Sequence, residues 1–143
     1  MNNKLIITLV LILFVGTTGS LGFEHMLATI NVKIQKDNRD NTWRVKDNQG
    51  QNKGTIVSSR KDNINWQAIG SEMVFTFPED INTYFTYEEG LFEDGRSQRV
   101  EANKKLRLTV KERAPQDTLV YTVYVVAADT FVVGDSPPKL IIK

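Results

Sequence analysis

The stretch Leu119–Lys143, LVYTVYVVAADTFVVGDSPPKLIIK, decides how this chain is read. Two apolar runs flank a short polar loop that ends in Ser136-Pro137-Pro138. In the first run Tyr121, Val123 and Val125 share one face, and Thr122, Tyr124 and Val126 the other. The middle of that run is apolar on both faces, which predicts a central strand. The second run, KLIIK, predicts a final strand. Pro137 and Pro138 restrict the loop's exit and remove two backbone donors, so they steer the chain into that strand.

Working back from the tail, the same period of two recurs from Leu27 onward. It puts Ile30, Val32 and Ile34 on one face, then Trp43 and Val45, Ile64 and Trp66, Met73, Phe75 and Phe77, and finally Leu106, Leu108 and Val110. Turn-forming residues separate these runs, as in Asp47-Asn48-Gln49-Gly50 and Asn52-Lys53-Gly54. No helical period lasts beyond about two turns in the body. Short strands with turns every 8–12 residues predict an all-β, antiparallel sandwich or barrel over residues 28–143. Between Glu79 and Asn103 the pattern weakens, and a hairpin, a loop with one helical turn and an irregular flap all remain open.

The first 22 residues read as an address. Lys4 is followed by eleven apolar or weakly polar residues, Leu5 to Val15, and then by small residues. That order is the one of a secretory signal. Leu5 to Phe23 is also nineteen residues without a charge, close to the ~20 that a spanning helix needs. Cleaved signal peptide and membrane anchor are therefore both open, and either leaves the body outside the cytoplasm, periplasmic or secreted.

Composition removes several chemistries. The chain has no cysteine, so disulfides, thiolate metal sites and a cysteine nucleophile are excluded. His25 is the only histidine, and it stands at the junction of address and body, a poor place for a metal ligand or a catalytic base. Eighteen basic residues against seventeen acidic give a net charge of +1. That balance offers no overall pull on nucleic acid, or on a membrane other than through the N-terminal segment.

Two groups of residues are candidates for a site. Glu88, Glu89, Glu93 and Asp94 fall within seven positions. As a buried pair such acids could share acid and base roles in a small extracytoplasmic hydrolase, and as loop oxygens they could hold calcium in an adhesion module. Solvated turn residues are the plainer expectation. Tyr84, Phe85, Tyr87 and Phe92 lie where no strand pattern requires them. They either form an exposed contact surface or cover one open end of the core. Asp129, Asp135, Ser136 and Pro137 of the tail loop would complete that contact surface.

With its strands in order, the chain resembles the cupredoxin-like β-sandwich family. The likeness is carried by TIVSSRKDNINWQAIGSEMVFTFP, by LRLTVKERAPQDTLVYTVYVV and by the terminal VVGDSPPKLIIK, and it spans about Ala28 to Lys143. Immunoglobulin-like sandwiches share much of the pattern. The resemblance implies a Greek-key sandwich and copper ligands near Gly70-Ser71-Glu72, at Val125-Val126-Ala127 and in the loop Ala128–Pro138. Those positions carry no histidine, cysteine or methionine, and the nearby Met73 belongs to a strand pattern. The expectation is an exported, non-enzymatic binding or accessory module that holds no metal or other cofactor. Its ligand would be a protein or a component of the cell envelope.

Overall fold

The computed structural model describes residues 27–78, 81–133 and 137–143. The address segment, His25, Asp135 and Ser136 lie outside the described residues. In chain order the strands are β1 (Thr29–Lys36), β2 (Trp43–Lys46), β3 (Thr55–Ser58), β4 (Asn63–Ala68) and β5 (Met73–Thr76). One helical turn, α1 (Ile81–Tyr84), leads into β6 (Phe85–Thr86). There follow β7 (Ser97–Val100), β8 (Lys105–Val110), β9 (Asp117–Val120) and β10 (Thr122–Val125). A 3-10 turn, Val126–Ala128, precedes β11 (Thr130–Phe131), and β12 (Lys139–Ile142) closes the chain.

These strands form an all-β sandwich. One sheet has the order β2-β1-β4-β8-β6. Opposite it lie a four-stranded sheet, β11-β10-β5-β7, and a three-stranded one, β3-β12-β9. Only Tyr121 separates β9 from β10, so these two sheets meet along one continuous run of chain. The alternation read from sequence now has a geometric cause. Val32, Ile34, Trp43, Val45, Ile64, Trp66, Met73, Phe75, Phe77, Leu106, Leu108 and Val110 are all buried. Their strand neighbours face out, because successive side chains on a strand point to opposite faces.

The sandwich is not antiparallel throughout. β1 runs parallel to β4, and β3 parallel to β12. After β1 the chain adds β2 at the sheet's edge and places β3 in the other layer. It then re-enters the first sheet as β4 in the direction of β1, as a parallel pair with a long crossover requires. The run Leu119–Val126 is central only in its second half: β10 lies between β5 and β11, whereas β9 ends its sheet and pairs with β12. The outer face of the run is open, and Val120 and Val126 are exposed.

The centre of the core is aromatic. Trp66 meets Phe75, Phe77 and Tyr121 edge-on, with ring centroids 6.3, 5.8 and 5.8 Å apart. Phe77 stacks on Tyr121 at 5.4 Å. The indole Nε1–H of Trp66 donates to the Tyr121 hydroxyl at 3.2 Å, so the one polar atom of each buried ring has a partner. Burial pushes the Tyr121 hydroxyl well above the usual phenol range, and the indole donor opposes that only in part.

Asp62 fastens the β3–β4 turn to the start of β1. Its buried carboxylate accepts from Ala28 N at 3.0 Å and from Ser59 N at 2.7 Å. Replacing Asp62 with alanine strands both donors and is expected to lower stability by about 2 kcal/mol. Urea unfolding of Asp62→Ala beside Asp62→Asn, which keeps one acceptor, checks this. Equal midpoints for wild type and the alanine variant would contradict it.

Candidate functional site

The end of the sandwich where the resemblance expects ligands is built from two strand ends. Met73 of β5 and Val125 of β10 are paired and fully buried. Just beyond them, Val126 N donates to Glu72 O at 3.0 Å, and Ala127 N donates to Ser71 Oγ at 3.3 Å. The Ser71 hydroxyl in turn donates to Glu72 O at 3.0 Å, and Arg99 holds the Glu72 carboxylate at 2.8 Å. Ser71, Glu72, Val126 and Ala127 are thus brought together, and their polar atoms are engaged with one another. Asp129 follows the 3-10 turn in a left-handed conformation, φ 47°, and its exposed carboxylate accepts from the Tyr124 hydroxyl. Pro137 is exposed. Among the described residues no group of three or more His, Cys, Asp or Glu side chains could hold a metal ion.

The aromatic segment does not form an exposed contact surface. Phe85 and Phe92 are core residues. Tyr84 and Tyr87 are half-buried against them, with ring centroids 6.4 Å (Tyr84–Phe85) and 5.0 Å (Tyr87–Phe92) apart. Their hydroxyls donate to Asp117 at 2.6 Å and to Asn82 at 2.7 Å. The segment therefore lids one end of the core. Phe92 reaches the core from a turn in which its own φ is +53°, and it packs on Phe77 at 5.8 Å.

The acidic residues are equally plain in their placement. Glu88, Glu89, Glu93 and Asp94 are all exposed, so they include no buried pair of the kind that splits acid from base. The Asp94 carboxylate accepts from Ser97 N at 2.6 Å and Arg96 N at 2.8 Å, which hold it below the usual carboxylate range. That is a turn-capping role.

Sequence reasoning missed the two outer faces. The second layer shows exposed Val57, Val120, Phe131 and Val133, with Phe131 against Tyr124 at 5.3 Å. The first sheet shows a polar grid instead. Asn65 of β4 lies between Asn31 of β1 and Arg107 of β8, and Gln67 lies between Lys33 and Lys105. Three surface hollows border this grid: one at Asn65 and Lys105, one at Asn65 and Arg107, and one of about 590 Å³ at Lys105 and Arg107 that runs on toward β7 past Gln98 and Glu101. The alternation of NINWQA and KLRLTV located these outward positions, but only the strand order brings them side by side.

No protein-family model matches the chain, and no curated protein matches its sequence.

Proposed function

We propose that this chain is an exported, non-enzymatic binding module on a cupredoxin-like, Greek-key sandwich whose type 1 copper site is missing. The observation that carries the reading is the end formed by Ser71, Glu72, Val125, Val126 and Ala127. The strand ends that would supply copper ligands converge there, and they offer a serine hydroxyl, the Arg99-paired carboxylate of Glu72 and aliphatic side chains. Type 1 copper needs two imidazoles and a thiolate. The parallel pairing of β1 with β4 and of β3 with β12 also supports a layer-crossing, Greek-key path. The exposed placement of Glu88, Glu89, Glu93 and Asp94 supports a role without acid–base chemistry.

Copper loading tests the proposal. Purified protein incubated with copper and then desalted is expected to retain no stoichiometric copper and no intense visible charge-transfer band. A blue, copper-retaining product would overturn the metal-free reading. Fractionation of the producing cells, with an N-terminal readout of the recovered protein, tests export. A chain found in the cytoplasm with its first residues intact would overturn that part.

A further inference from the structure

We infer that the outer face of β1, β4 and β8 binds an anionic polysaccharide. Its carboxylates would sit on Lys33, Lys105 and Arg107, and its hydroxyls on Asn31, Asn65 and Gln67. The inference deepens the reading of the chain as an exported binding module and rests on it, since that is where such a polymer is met.

Charge complementarity is the first ground. The three strands contain no aspartate or glutamate at all, although the chain as a whole carries only +1. Register places Lys33 and Lys105 on either side of Gln67, with Arg107 two residues along from Lys105. Strand spacing then puts the backbone positions of the three cations at the corners of a triangle with sides of roughly 7, 10 and 12 Å. Among the described residues none of the three has an ion-pair partner. The cation beside them, Lys46, is by contrast satisfied by Asp37 at 2.9 Å. Two acids border the patch from outside the three strands: Glu88, in the hollows it shares with Arg107, and Glu101, in the hollow it shares with Lys105 and Arg107. With no ion-pair partner among the described residues, these three like charges, on β1 and β8 to either side of β4, add no attraction that holds the strands together, and their mutual repulsion is a small cost.

The second ground is the chemistry between the cations. Asn65 Nδ2 donates to Asn31 Oδ1 at 2.9 Å, which leaves the Asn65 side-chain carbonyl and the Asn31 amide nitrogen without a hydrogen-bond partner among the described residues. The Gln67 side chain makes no hydrogen bond within the described residues. Amides that can both donate and accept match sugar hydroxyls, which also do both. Nucleic acid is the poorer fit. A single strand needs aromatic platforms for its bases. The one aromatic beside the grid, Tyr87, is packed on Phe92 with its hydroxyl held by Asn82. The face is the middle of a five-stranded sheet, wider than the helix or two-stranded ribbon that a duplex groove admits.

The test is a titration of the purified protein at low salt with polygalacturonate, with neutral dextran and with poly(dT). The expected result is saturable binding of polygalacturonate that weakens steeply with added salt, with no binding of dextran and weaker binding of poly(dT). The variant Lys33→Gln/Lys105→Gln/Arg107→Gln should keep or raise the melting temperature while binding falls by roughly tenfold per cation removed. A second variant, Asn65→Ala/Gln67→Ala, should weaken polygalacturonate binding and leave any poly(dT) association unchanged. Absence of polygalacturonate binding, or a triple variant that binds as wild type does, overturns the inference. Equal affinity for poly(dT) overturns it in favour of a nucleic-acid surface. These outcomes are separable from failure of the broader reading. A blue copper protein or a cytoplasmic chain would sink that reading and leave the titration standing, and a failed titration would leave export and the copper result untouched.

Discussion

Trp66→Ala is expected to lose about 3–5 kcal/mol of folding stability, the range for removing a large buried aromatic. A domain of this size holds roughly 5–15 kcal/mol in all, so the variant should be near the limit of folding at 37 °C. The size of the loss follows from position. β4 is the middle strand of the first sheet, and Trp66 reaches from it across the layer gap to Phe75 and Tyr121 on the opposite side. Its removal opens a cavity that three aromatic rings border, and rings collapse into a void poorly. The Tyr121 hydroxyl would also lose its indole partner inside the core. Trp66→Phe keeps most of the apolar volume, so its loss should be nearer the about 1–3 kcal/mol of an unsatisfied buried hydroxyl. Denaturant unfolding of wild type and both variants gives the comparison. A Trp66→Ala midpoint close to wild type would mean that the two layers do not depend on this ring.

The aromatic core shows how far the sequence could be read. NINWQA alternates so regularly that Ile64, Trp66 and Ala68 could be assigned inward and Asn63, Asn65 and Gln67 outward before any contact was known. What alternation cannot supply is neighbours. The grid Asn31–Asn65–Arg107 joins residues 34 and 42 positions apart, and it exists because β4 is parallel to β1 and antiparallel to β8. Phe92 fails for a different reason. Its loop of acids and glycines has no period, and its burial comes from the whole segment folding over the end of the sandwich. The open outer face of the last long strand was also hidden, since apolar residues on both faces read as burial on both. Here Val120 and Val126 are left exposed.

The β1–β2 hairpin carries a charge cluster that composition alone could not show, and its disruption should rank beside Trp66→Ala. Asp37 is 4% exposed and Lys46 6%. Lys46 Nζ donates to Asp37 Oδ2 at 2.9 Å, while Arg39 donates to the same carboxylate from its guanidinium at 3.1 Å and from its backbone N at 3.0 Å. The Arg39 guanidinium, then Lys46, then the Arg39 backbone N–H hold the Asp37 carboxyl far below the usual carboxylate range, against a smaller upward push from burial. Asp37→Ala would leave the Lys46 ammonium inside the protein without its anion, the costly way to break such a pair. Asp37→Ala/Lys46→Met removes both charges and should recover much of the loss. Arg39→Ala should matter far less, because the Arg39 side chain is 81% exposed. The pH dependence has a fixed sign. A carboxyl whose pKa is depressed on folding contributes fully above its unfolded value, about 3.9, and loses that contribution as pH falls through the folded value. Asp40, held down to about 2 by the Thr42 hydroxyl and Arg44, adds to the same acid loss. Urea midpoints taken from about pH 7 to about pH 2 should therefore fall more steeply below about pH 4 for wild type than for the double variant, which retains Asp40 but not Asp37. Parallel acid limbs for the two proteins would show that Asp37 titrates alike folded and unfolded, and would remove the Lys46–Asp37 pair as a determinant of stability.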